Sequence, residues 1–171
     1  WFVEMDAYQF GLGHHRLSGG EAMNLGIKLI HPGARMPTYA TSGAACFDLY
    51  AVSDIPHELY QGTSVTVSTG LIFDIPEGYV LMIYSRSGHG FVHDVRLSNC
   101  VAVIDSDYRG EVKIKLTRDS SPGSWFNQFH VHQGDRVAQA MLMPVERVTL
   151  FQVDEVEATV RGEAGFGSTG K

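Results

Sequence analysis

Five short stretches of the chain concentrate the side chains that could do chemistry. In Ala44–Tyr50 (AACFDLY) a single carboxylate, Asp48, interrupts an apolar run. Such an acid could order water around a cation; read alone, it is a polar residue on the solvent face of a strand, and that reading is preferred for the stretch by itself. In Ser85–Gly88 (SRSG) the Arg86 guanidinium, the Ser87 hydroxyl and the backbone N–H groups of a turn through Gly88 could converge on phosphate oxygens. The pattern is short, and a turn carrying a surface arginine fits it equally. Asn99–Gly110 (NCVAVIDSDYRG) sets two carboxylates and an aromatic at an expected hairpin. Its backbone groups could pair with the edge of a base, and the Tyr108 ring could pack on a sugar. Asp105, at a strand end, could face a pocket as a general base, whereas Asp107 reads as a turn former. Gly134–Gln139 (GDRVAQ) opens with a Gly-Asp turn. Asp135 and Arg136 read as a structural pair, alternation puts Val137 and Gln139 on one face, and Gln139 among apolar neighbours needs hydrogen-bond partners. Arg161–Gly170 (RGEAGFGSTG) has glycines that permit close backbone approach to phosphates and hydroxyls at Ser168 and Thr169. Read alone it is a Gly/Ser tail, except that Phe166 invites a stacking partner.

The elements that must position these residues read as strands. Leu25–Ile30, Ser64–Thr69, Leu71–Ile75, Tyr79–Tyr84, Val101–Ile104, Val112–Leu116, Val137–Pro144 and Val148–Val153 are short apolar or alternating runs between Gly/Pro turn signals. Asp105–Gly110 reads as the hairpin connection between two of them. One short helix around Gly88–Val95 is the only helical expectation. Many short strands with frequent turns predict an all-β barrel or sandwich. Residues 1–24, with four glycines and His14-His15, show no sustained period and read as an N-terminal extension or an artificially appended arm, its histidines solvated. Residues 25–160 form the expected β domain. Residues 161–171 form a Gly-rich tail, mobile unless a ligand or another subunit holds it. Residues 117–132 read as a long loop whose partner, if any, the sequence leaves open.

Composition bounds the function classes. The chain has 171 residues, 44% of them apolar, which suits one domain with a real core. A formal net charge of −6 argues against non-specific nucleic-acid binding, which depends on neutralising phosphates with Lys and Arg. No apolar run reaches bilayer-spanning length and none at the N-terminus reads as a signal peptide, so a membrane partner is not expected. Cys46 and Cys100 are too few for a disulfide framework and read as small buried residues in a reducing compartment. The location expected on these grounds is cytoplasmic, or nuclear, or the host cytoplasm for a viral chain.

Taken in this order, the five stretches resemble the five motifs of the trimeric dUTPase family; VIDSDYRG and RGEAGFGSTG are the most specific. The resemblance spans about Leu25 to Lys171. It implies a jelly-roll-like all-β subunit of a homotrimer. Each active site would take the first, second and fourth motifs from one subunit, the third from another and the fifth from the last subunit's tail. It implies Mg2+-dependent hydrolysis of dUTP to dUMP and pyrophosphate, which keeps uracil out of DNA and supplies dUMP for thymidylate synthesis. By resemblance, Asp105 activates the attacking water. Asn99 and the backbone near Val103 and Ile104 bind uracil, and Tyr108 lies under the deoxyribose. Arg86, Ser87 and Gly88 hold phosphates, and Gln139 binds near the α-phosphate. Asp48 orders the magnesium site through water. Arg161, Gly167, Ser168 and Thr169 bind the outer phosphates, with Phe166 stacked over uracil, and Lys113 touches the substrate.

The chain departs from the family pattern in several places. Ser85 stands where Pro is common, His89-Gly90 replaces Leu-Ala, Ala102 and Cys46 stand where Gly is usual, and the loop before GDRVAQ is long. Ala102 adds a methyl group to the segment expected to read uracil. None of these changes removes a catalytic group. Two other readings remain: a dCTP deaminase on the same fold, and a binding module that uses the scaffold to regulate another protein.

Overall fold

A computed structural model of the chain describes residues 23–120 and 128–165. The strands, in order, are β1 (Gly26–Leu29), β2 (Thr38–Tyr39), β3 (Phe47–Tyr50), β4 (His57–Leu59), β5 (Ser64–Ser68), β6 (Leu71–Asp74) and β7 (Tyr79–Tyr84). After the helix α1 (Ser87–His93) come β8 (Val95–Leu97), β9 (Val101–Ile104), β10 (Lys113–Arg118), β11 (Phe129–Val131) and β12 (Arg136–Pro144). All pairings are antiparallel. The largest sheet runs β2-β3-β12-β7-β9, and the others are β5-β10-β8, β1-β6 and β11-β4. The chain is therefore all-β and jelly-roll-like with one short helix, as the run of short strands predicts.

Period-two patterning builds the core. In β7, Leu81 and Ile83 are fully buried while Val80, Met82 and Tyr84 are half-buried. In β10, Ile114 and Leu116 point inward, and so does Arg118, whose Nε donates to the His93 carbonyl at 3.2 Å. These side chains meet Leu49, Leu71, Phe73, Leu97 and Val137 in one cluster between the sheets. Burying each large aliphatic chain contributes roughly 1.5–3 kcal/mol.

Three expectations need correction. Val148–Val153 forms no strand: Val148, Leu150 and Phe151 are exposed, and the segment finds no pairing partner in its own chain among the described residues. Asp105–Gly110 is not a hairpin loop. The strands it joins belong to different sheets, β9 pairing with β7 and β10 with β5 and β8. β9 is instead the edge strand of the largest sheet, and the tight reversal lies before it, where Cys100 takes a positive φ of 62°. Cys100 is also exposed and Cys46 only half-buried, both free, so neither is the buried residue expected. The expected long loop is shortened at both ends by β10 and β11. The short strands β2, β4, β8 and β11 carry too few residues to show a period. Apart from Met23 and Asn24, the expected N-terminal extension lies outside the described residues, as do His14 and His15.

Candidate active site

The first group of site residues gathers where β3, β7 and β12 lie side by side. Asp48 on β3 stands opposite Gln139 on β12, which stands opposite Tyr84 at the end of β7. That register carries Ser85–Gly88 beside Gln139. The Gln139 amide donates to the Ser85 carbonyl at 2.9 Å, which supplies the partner its sequence environment requires. A cleft of about 390 Å³ lined by Ser85, Arg86, Ser87, Gly90, Phe91 and Gln139 opens there. Ser87 and Gly88 are exposed at the start of α1, with Arg86 as the residue that caps it.

Asp48 is buried, 8% exposed, so the solvent-face reading fails. Its Oδ1 accepts from Arg86 Nε at 3.2 Å and its Oδ2 from Arg136 NH1 at 3.2 Å. One carboxylate thus holds two guanidinium groups that repel each other, and this lets a buried charge persist. Arg136 reaches it because β12 contains a bulge between Arg136 and Ala138. The bulge also breaks the expected alternation, since Val137 and Ala138 are both fully buried. The expected Asp135–Arg136 pair does not form. Asp135 instead closes its own turn, accepting from the His132 N–H at 2.8 Å. Gly134 in that turn has φ 80°, and a Cβ there would lie 2.8 Å from the Arg35 guanidinium.

The second group surrounds a pocket of about 570 Å³ lined by Val103, Ile104, Asp105, Tyr108, Glu111, Val112 and Lys113. It forms where β9 ends and β10 begins. Tyr108 N–H closes a turn onto the Asp105 carbonyl at 3.2 Å, and its hydroxyl donates to the Glu111 carbonyl at 3.2 Å. The ring lies over Gly110, where a Cβ would come within 2.5 Å of Cζ, so a larger residue there would have to push the Tyr108 ring aside. Arg109 ties the segment down through the Ser106 carbonyl at 2.6 Å and Asp74 at 3.2 Å. Lys113 pairs with Glu111 at 3.5 Å. The Asp105 carboxylate is exposed on the pocket rim and accepts no hydrogen bond or ion pair from the described residues.

The two groups are not brought together. Ile104 pairs with Leu81 near the start of β7, whereas Arg86 follows its other end. Asp105 continues to the level of Val80, so at 3.4 Å per residue roughly 20 Å of strand separates it from Arg86. Asn99, exposed in the turn before β9, lies at the Tyr84 end, away from the Asp105 pocket. Arg161 is exposed and contacts only its local carbonyl at Ala164, 2.9 Å away, among the described residues. Phe166, Gly167, Ser168 and Thr169 lie outside the described residues.

Sequence reasoning missed Arg136 as a partner of Asp48, because a bulge leaves no periodic mark. It also passed over His89 as more than a departure from pattern; its Nε2 lies 3.4 Å from Arg86 NH1. Burial, then the Arg86 charge, with smaller contributions from His93 and Arg136 against an opposing Asp135, lowers the His89 pKa to about 4. As for a metal, the described residues contain no cluster of three His, Cys, Asp or Glu. Asp48 is engaged at both oxygens but keeps lone pairs for a water. That donor set suits a cation carried in on a ligand's own oxygens rather than one held by a protein cage.

Comparisons with known proteins agree with one another. The dUTPase family profile matches residues 33–170. The deoxyuridine 5'-triphosphate nucleotidohydrolase of Nautilia profundicola is 40% identical over 87% of this chain and 100% of its own length. That of Paraburkholderia phymatum is 41% identical over 87% of this chain and 99% of its own. Among solved structures, a Staphylococcus bacteriophage 80alpha dUTPase with dUPNHPP superposes with TM-score 0.78 at 25% identity, covering 88% of this chain and all of that one.

Proposed function

The chain belongs to the dUTPase family, and from that premise we propose that it hydrolyses dUTP to dUMP and pyrophosphate in sites completed between the subunits of a homotrimer. The observation that carries the reading is the contrast between its two site carboxylates. Asp48 is consumed by two arginines, while Asp105 stands unpaired among the described residues beside Tyr108, free to take a proton. The Asp105 carboxylate removes a proton from water as the water oxygen bonds to the α-phosphorus. The bond from that phosphorus to the bridging oxygen breaks, and pyrophosphate leaves with the electron pair. Arg86, Ser87, Gly88 and Gln139 bind and orient the phosphates and stabilise the charge that grows on them. A divalent cation, Mg2+ in this proposal, would supply neutralisation of the phosphate charge when bound. Asp48 would reach it only through water.

Uracil recognition falls to the outer edge of β9. An edge strand leaves backbone N–H and C=O groups unpaired, and those near Val103 and Ile104 can meet the base edge, with Lys113 alongside. Cytosine exchanges a donor for an acceptor and leaves such groups unsatisfied. Tyr108 packs under the deoxyribose. Arg161, Gly167, Ser168 and Thr169 complete the outer phosphate contacts and Phe166 stacks over the base.

The separation within one chain supports shared sites. Roughly 20 Å of strand lies between Asp105 and Arg86, which favours a second copy supplying one of them. The exposed apolar run through Val148, Leu150, Phe151, Val153 and Val156 offers surface for such an assembly. Pyrophosphate release from dUTP, dCTP, dTTP and UTP, each with and without Mg2+, tests the proposal. Turnover restricted to dUTP with metal is expected; ammonia from dCTP would instead indicate a deaminase, and dUTP binding without hydrolysis a binding module.

A further inference from the structure

We infer that His89 is a positioning residue for Arg86, holding the phosphate-binding guanidinium in place by accepting a hydrogen bond from it. The inference rests on Arg86 binding phosphate as proposed above. Arg86 is gripped on two of its three nitrogens. Nε donates to Asp48 at 3.2 Å, while NH1 faces His89 Nε2 and the Arg136 carbonyl, each at 3.4 Å. Among the described residues its remaining nitrogen, NH2, has no partner, which leaves that donor for a ligand oxygen. A guanidinium only donates, so the contact requires His89 Nε2 to be the acceptor. The ring proton must then sit on Nδ1.

The Arg86 contact sets the tautomer, and the surroundings favour the neutral ring. Nδ1 is buried without a hydrogen-bond partner among the described residues, and the ring packs edge-on against Phe129 with centroids 5.1 Å apart. The charged groups facing it are Arg86 at the cap of its helix and Asp135 and Arg136 from the turn into β12, with the titratable rings of His93 and His130 also lining the cleft. The cations outnumber the one carboxylate, so a proton on Nε2 would both remove the acceptor and add a like charge beside Arg86. A leucine at this position would fill the volume without accepting anything. His89 is thus a local addition to the phosphate-binding machinery, acting through Arg86 rather than on the substrate.

The test compares His89→Leu, which removes the acceptor, with His89→Gln, whose Oε1 can replace it. The contact is long, so His89→Leu is expected to raise KM for dUTP by about three- to tenfold with kcat nearly unchanged. His89→Gln should recover most of that loss at equal thermal stability. Wild-type KM with His89→Leu, or a folded His89→Gln as impaired as His89→Leu, would overturn the inference. Should both variants misfold, ¹⁵N side-chain NMR of the intact protein decides at neutral pH: Nε2 unprotonated supports the role, and Nε2 protonated ends it. Absence of dUTP hydrolysis by the wild-type chain would count against the proposed activity and leave the tautomer result standing.

Discussion

The two halves of the site are built on opposite terms. Around Asp48 the chain spends a buried carboxylate, a bulge and a strand register to lock two arginines and a glutamine before any ligand arrives. Around Asp105 it leaves an exposed acid, an exposed tyrosine and an unpaired strand edge. The first half is tied into the chain's own contacts and the second keeps its polar groups open. Groups that hold charge on a substrate gain from being fixed in advance, because no reorganisation is then needed during reaction. A group that must take up a proton cannot be tied to a cation.

The largest effect that sharpens this contrast is on rate. Asp105→Asn should lower kcat by about 10²- to 10⁴-fold while dUTP affinity changes little, as single-turnover kinetics and calorimetry will show. Equal loss of both would place Asp105 in binding instead. Next comes a mixing experiment. Asp105→Asn and Arg86→Ala chains, each inactive alone, are unfolded together and refolded in equal amounts. If one site draws these residues from two subunits, about one site in four should regain activity; no recovery would mean that each subunit builds its own site. On stability the two carboxylates should diverge. Asp48→Ala strands two guanidinium groups and should cost about 1–3 kcal/mol, less than a fully buried pair because the arginines are partly exposed. Asp105→Ala should stay within about 0.5 kcal/mol, and matched denaturant titrations compare the two. The smallest effect is on pH. An unfolded chain protonates His89 near its ordinary value of 6.5, but the folded one resists until about 4. Stability should therefore decline as pH falls through that window, and His89→Leu should flatten the slope.

What could be read in advance depended on whether the determining interactions were local. Runs such as Ser64–Thr69 announced their strands because alternation is a property of neighbours. The one short helix, expected around Gly88–Val95, was legible too and lies at Ser87–His93. Asp48 was misplaced because its face depends on which strands flank β3, and its partners lie 38 and 88 residues away. The Asp135–Arg136 pairing failed because Asp135 stays in the turn, accepting from the His132 N–H, while Arg136 enters β12 and reaches Asp48. Asp105–Gly110 looked like a hairpin since turn residues between two apolar runs fit one; only sheet order shows that the chain crosses between layers there. The Val148–Val153 strand had the right composition and lacked a partner.

The unsheathed apolar run from Val148 onward has a consequence for how the molecule is made. A newly synthesised chain carries Leu150 and Phe151 in the open until neighbours arrive, a surface as ready to aggregate as to assemble. If subunits cover it as proposed, folding and association merge into one event. The melting temperature should then climb with protein concentration, and dilution alone should inactivate the enzyme without any denaturant.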